Sequence, residues 1–163
     1  MLADLLQSAP AHPIAFSEEL GVDGPEAFGA IDALGLEGIV SKRRGSRYKS
    51  GDTDLWLKTK TFTEGEFEVL GADMSPTGAP LAILARRNDH GLHYVGDAFI
   101  TLKAADREDF WAYVEANTID TPALPLRRRG TWLKPGLIAK VKHLRGDGTL
   151  RAASLKGLRH DRR

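Results

Sequence analysis

Lys58 and Lys60 stand two residues apart in Trp56-Leu57-Lys58-Thr59-Lys60, a short run with strand character. Side chains alternate along a strand, so Trp56, Lys58 and Lys60 share one face while Leu57 and Thr59 take the other. The two lysine Cβ atoms then lie roughly 7 Å apart, close enough for both ammonium groups to converge on one phosphate. Lysine is a compact point charge that suits a phosphoryl oxygen. Glu37, which opens the preceding apolar run, is a candidate ligand for a divalent cation on the same phosphate. Between the two runs, Lys42, Arg43, Arg44, Arg47 and Lys49 crowd one Gly- and Ser-rich loop. The plainer alternative is a surface hairpin with its lysines in water and Glu37 paired with one of them.

The surrounding pattern supplies elements to hold these groups. Residues 36–41 read as a strand partly buried through Ile39 and Val40, 42–54 as a loop and 55–60 as a second strand, so the pair forms a hairpin with the cations at its tip. Upstream, Asp23-Gly24-Pro25 starts a helix with Pro25 at its first position. Ala27, Phe28, Ile31 and Leu34 give that helix an apolar face, and Gly35 ends it as a left-handed cap. Residues 1–13 read as a weak helix closed by Pro10 and Pro13, and 14–16 as a short extended stretch. Residues 61–65 read as a linker.

Beyond residue 65 the period changes. Strands are expected at 66–74, 81–86 and 92–99, with turns at 75–78 and 88–91. A helix follows at 104–117 with Phe110, Tyr113 and Val114 at helical spacing. After a Pro-broken connector at 121–126 come short strands at 131–133, at 137–144 and from 150 onward. The class is α+β, mostly β. The closest architecture is the oligonucleotide-binding (OB) fold, a five-stranded Greek-key barrel with one helix bridging the third and fourth strands.

Bulk properties narrow the function classes. The 163 residues contain no cysteine, which excludes a disulfide framework and a thiolate metal site. The five histidines show no metal-ligand spacing. No apolar run approaches the roughly 20 residues that span a bilayer, and no signal peptide is visible. A cytoplasmic location, associated with the nucleoid, is expected. The net charge of +1 hides an asymmetry: residues 1–36 hold six acids and no Lys or Arg, while residues 127–163 hold 12 Lys or Arg against two acids. A basic half behind an acidic leader points to a polyanionic partner, nucleic acid first, with Arg127, Arg128 and Arg129 as further contacts.

Glu37-Gly38-Ile39-Val40-Ser41-Lys42 resembles motif IV of the covalent nucleotidyltransferases, the group of ATP-dependent DNA ligases, RNA ligases and mRNA capping enzymes. Trp56-Leu57-Lys58-Thr59-Lys60 resembles their motif V. The intervening Ser41-to-Gly51 loop resembles bacterial end-joining DNA ligases, Trp132-Leu133-Lys134-Pro135 a signature of their OB domain, and Lys156-to-Arg162 their motif VI. The four motifs fall in one collinear order. The resemblance implies residues 1–61 as the end of a nucleotidyltransferase (ATP-grasp-like ligase) segment and 62–163 as the OB domain.

It also implies a chemistry, in which a lysine attacks the α-phosphate of ATP and keeps AMP as a phosphoamide. The AMP then passes to a DNA 5′-phosphate and is displaced by the 3′-hydroxyl. By carry-over, Glu37 would bind Mg²⁺, and Lys58 and Lys60, with Lys42 beside them, would hold the ATP phosphates. Arg159, Asp161 and Arg162 would act when the barrel closes. DNA is the implied partner, with Ku-type end-joining proteins and a dimer through the incomplete N-terminal segment as further expectations.

The departures are as informative. The nucleophile motif Lys-x-Asp-Gly is absent, so no catalytic lysine is assigned; Lys49-Ser50-Gly51-Asp52 has the wrong order. Ala152-Ala153 replaces the usual His-Pro, and Asp97 stands where a base is usual. The chain is therefore expected to be the C-terminal part of a ligase, or the product of a truncated gene, unable to adenylate itself. The alternatives are a non-catalytic OB module that binds DNA and a fragment of an RNA ligase or capping enzyme.

Overall fold

The computed structural model describes Leu6, residues 19–146 and residues 148–160. The expected helix at 1–13 (Leu6 aside) and the extended stretch at 14–16 lie outside the described residues, as do Asp161 and Arg162.

Asp23 accepts a hydrogen bond from the Glu26 backbone N–H at 2.9 Å and caps helix α1, Gly24–Ala33. Pro25 occupies the first turn, where an N–H would have no helical partner. Gly35 takes φ +71°. The N–H groups of Gly35 and Leu36 donate back to the carbonyls of Asp32 and Ile31 at 3.0 and 3.1 Å, which stops the helix as the sequence predicts. The apolar face is only partly covered: Ala27 is buried, Phe28 and Ile31 are half-buried, and Leu34 is exposed.

Strands β1, Gly38–Lys42, and β2, Trp56–Lys60, form the expected antiparallel hairpin as a separate two-stranded ribbon. Val40, expected to be partly buried, is 48% exposed, and all of β2 is exposed. Helix α1 packs on β1, whose first residues, Gly38 and Ile39, are half-buried.

The expected linker at 61–65 is not one. Thr61 is fully buried, its hydroxyl donates to the Leu36 carbonyl, and its N–H donates to the Glu37 carbonyl at 2.8 Å. Strand β3, Phe62–Met74, begins at the next residue, because residues 62–65 already pair with 141–144. A single residue therefore separates the ribbon from the barrel.

The barrel closes through β3, β4 (Pro80–Asn88), β5 (Gly91–Ile100), β9 (Ser154–His160) and β8 (Leu137–Leu144), which returns to β3. Only β5–β9 is parallel. Helix α2, Ala104–Ala116, bridges β5 and the later strands. This is the OB arrangement, and its interior is filled by Phe67, Val69, Leu84, Phe110, Val141 and Leu155.

Two short strands, β6 (Thr118–Ile119) and β7 (Thr131–Leu133), extend the sheet beside β3; β6 is too short to read from sequence. They frame a second apolar cluster of Leu70, Ile83, Ala85 and Trp132, covered by Leu92, Ile119, Leu124 and Leu126. The connector at 120–130 thus lies over part of the outer surface of β3, β4 and β5. No helix among the described residues is long and apolar enough to cross a membrane.

Phe110 is fully buried and is the main side chain that α2 inserts into the barrel. Phe110→Ala is expected to cost about 3–5 kcal/mol. A urea melt would show this as a lower midpoint at unchanged slope.

Candidate functional site

Pairing across the ribbon places Lys42 opposite Trp56, Val40 opposite Lys58 and Gly38 opposite Lys60. Cross-strand partners share a face, so one side of the ribbon carries Lys42, Trp56, Lys58 and Lys60. Lys42 Nζ sits 4.4 Å from the centre of the Trp56 ring, a cation–π contact. Lys58 has no ion-pair partner among the described residues. The face is open to water and bears three ammonium groups and one aromatic ring.

Glu37 lies at the edge of this face, and it is already occupied. Its Oε1 is 3.6 Å from Lys60 Nζ, and its Oε2 accepts from Arg151 NH2 at 2.9 Å. Arg151, and after it Lys60, holds the Glu37 carboxyl below the usual glutamate range. No group of three His, Asp or Glu side chains suited to a metal exists among the described residues. As arranged, the site fits an anion better than a metal ion.

Arg151 has a companion that sequence reading missed. Arg145, at the other end of the β8–β9 loop, donates through NH1 to the Asp32 carbonyl at 2.9 Å, and its NH2 lies 3.1 Å from Asp32 Oδ1. The acidic leader and the basic tail therefore meet at this loop. The charge asymmetry was the signal, but partners 113 and 114 residues apart leave no local pattern.

At the ribbon's tip, Arg43, Arg44, Arg47, Tyr48, Lys49 and Leu55 line a cavity of about 440 Å³. Arg127 and Arg129 are exposed on the connector. Arg128 is placed otherwise than expected. Its NH1 donates to both Asp97 oxygens at 2.8 Å, and its NH2 donates to Asp73 at 2.7 Å. Tyr94 completes the knot by donating to Asp97 at 3.0 Å. Arg128 is thus a clamp between the connector and the outer strands, and Asp97, the acid that looked out of place, is its counter-ion. Burial alone would lower the Arg128 pKa, but the two carboxylates drive it well above the usual value. Arg159 on β9 donates to Glu66 through Nε at 3.1 Å and NH2 at 2.6 Å.

Residues 79–162 match the family described as "ATP dependent DNA ligase C terminal region". The chain belongs to the ATP-dependent DNA ligases. It is 27% identical, over 99% of its length, to the multifunctional non-homologous end joining protein LigD of Pseudomonas aeruginosa, of which it covers 21%. It is 30% identical over 95% of its length to the corresponding DNA repair protein LigD of Mycobacterium tuberculosis, of which it covers 22%. The chain thus spans about a fifth of the length of these relatives. Among solved structures, the ligase domain of M. tuberculosis LigD is 28% identical, with TM-score 0.55, over 99% of this chain and 56% of that one. A mycobacterial DNA ligase D complexed with ATP and MES follows at 27% and TM-score 0.51. The DNA-ligase family sets aside the RNA-ligase and capping-enzyme alternative.

Two outcomes check the geometry. Arg128→Ala should destabilise the chain by about 2 kcal/mol, read from thermal melting. The Glu37 carboxyl is depressed in the folded state, so the tie to Arg151 is fully present above the ordinary glutamate range. It is lost as pH falls through the lowered folded value. Carboxyl NMR titration should show this, with Arg151→Ala moving Glu37 back toward its usual pKa.

Proposed function

We propose that residues 1–61 are the end of a nucleotidyltransferase domain and residues 62–163 its OB domain, and that together they serve a DNA-joining reaction. The observation that carries this is the open cationic face of β2. Lys58 has no ion-pair partner among the described residues, Lys60 and Lys42 flank it, and all three stand on one exposed side of the ribbon. Such a face suits the phosphates of ATP. Arg159, together with Asp161 and Arg162, would meet those phosphates once Arg159 exchanges Glu66 for them. Glu37 would hold Mg²⁺ only after exchanging Arg151 for it; the ion would supply charge neutralisation at the phosphates.

DNA would follow the exposed cations Arg43, Arg44, Arg47 and Lys49, with Arg127 and Arg129 on the connector. Arg128 is not among them, because its guanidinium is ion-paired to Asp73 and Asp97. Association with the nucleoid, Ku-type end-joining partners and a dimer through the N-terminal segment belong to the same proposal.

The chain has no Lys-x-Asp-Gly motif, so incubation with ATP and Mg²⁺ should leave no acid-labile protein–AMP adduct; a labelled adduct would overturn that part. Binding to a nicked duplex, followed by anisotropy, should weaken steeply with salt. Replacing Arg43, Arg44 and Arg47 by Ala should flatten the log–log slope by up to about 0.9 per residue. An unchanged slope would remove the tip from the DNA contact.

A further inference from the structure

The cavity at the ribbon's tip has features that phosphate contact alone does not use. Its shape is set by the backbone. The Ser46 N–H donates to the Arg43 carbonyl at 3.1 Å, the Ser46 hydroxyl donates to the same oxygen at 2.6 Å, and the Arg43 N–H donates across the loop to Leu55 at 2.8 Å. Gly45 supplies the turn with φ +75°, which a side chain would strain. The wall carries four cations and no acid. None of the four has an ion-pair partner among the described residues.

Tyr48 is the remaining feature. It is 76% exposed, so the ring is open to a stacking partner. Its ring is nonetheless positioned, edge-on to Trp56 with centroids 5.9 Å apart, while Lys42 lies over Trp56. A positioned, exposed aromatic ring among unpaired cations is the arrangement that binds single-stranded nucleic acid: bases stack on the ring and the backbone follows the charge. The cavity of about 440 Å³ falls in the range of small-ligand sites, roughly 300–1,000 Å³. That is room for one nucleotide. In an intact duplex the bases stack on one another and are not available to Tyr48.

We propose that the tip holds one unpaired nucleotide of DNA, its base on Tyr48 and its flanking phosphates on Arg43, Arg44, Arg47 and Lys49. This rests on the DNA contact proposed above and names its substrate class: an overhang or gap rather than a blunt duplex.

The full chain would be titrated with a short oligothymidylate and with a blunt duplex of equal length, at two salt concentrations. Tryptophan fluorescence, with Trp56→Phe as the reference that separates this ring from Trp111 and Trp132, reports on the ring next to Tyr48, and anisotropy of a labelled strand gives the affinity. The expected results are quenching by the single strand only, and single-strand affinity about tenfold lower in Tyr48→Ala. Tyr48→Phe should bind as wild type, and Tyr48→Ala should leave the duplex unaffected. A melting curve confirms that the exposed substitution leaves the fold intact. Equal losses for both substrates, or no loss for either, would overturn the inference while leaving DNA contact in place. Absence of any salt-dependent binding to either substrate would overturn both.

Discussion

Strand β3 is hydrogen-bonded along both edges, and the other parts take their places from it. One edge pairs with β4; the other pairs with β8 over residues 62–68 and with β7 at Gly71 and Ala72. A thirteen-residue strand can serve two partners in succession only by bending. The register shift between Val69 and Gly71 provides the bend. It also resets the alternation, so that Phe67 and Val69 before the shift and Ala72 after it all pack into the barrel, while Leu70 faces the second cluster outside. Through Thr61 the same strand carries the ribbon, and along its outer surface it carries Glu64, Glu66, Glu68 and Asp73, each ion-paired to a base.

Those ion pairs divide by burial. Glu64–Lys140 and Glu66–Arg159 are about half exposed on both sides, where a pair contributes roughly 0–1 kcal/mol. Their effect is to occupy side chains more than to stabilise the fold. Glu68 is different: it is 5% exposed and has Arg87 as its partner, so it needs that partner. The Arg128 knot is intermediate, and it holds a connector over apolar surface that would otherwise meet water. Arg145 and Arg151 reach the other way and tie Asp32 and Glu37 to the β8–β9 loop.

The local grammar was readable because it is local. Asp23, Pro25 and Gly35 mark a helix within a dozen residues, and the alternation in Trp56–Lys60 sets one face without outside help. The barrel was legible from strand spacing and the helix with Phe110, Tyr113 and Val114. Where the sequence misled, distant pairing decided. The stretch at 61–65 looked like a linker because Thr, Glu and Gly carry no strand pattern, yet β8 recruits it. Val40 reads as partly buried because β-branched residues usually are, but it stands opposite Lys58 on the open face of the ribbon. Arg128 sits between two other arginines and nothing nearby distinguishes it; Asp73 and Asp97, 55 and 31 residues away, do.

A two-stranded ribbon with water on most of its surface is marginal on its own. Among the described residues its anchors lie at one end, at Thr61 and at the pair formed by Glu37. Opening free energy should therefore fall along the ribbon, from its highest near Lys60 to its lowest at the loop beyond Lys42, where the Ser46–Arg43 and Arg43–Leu55 hydrogen bonds are what hold the tip. The portion that carries the cations is the portion held most loosely, so the tip can adapt to a strand's path at little cost to the barrel.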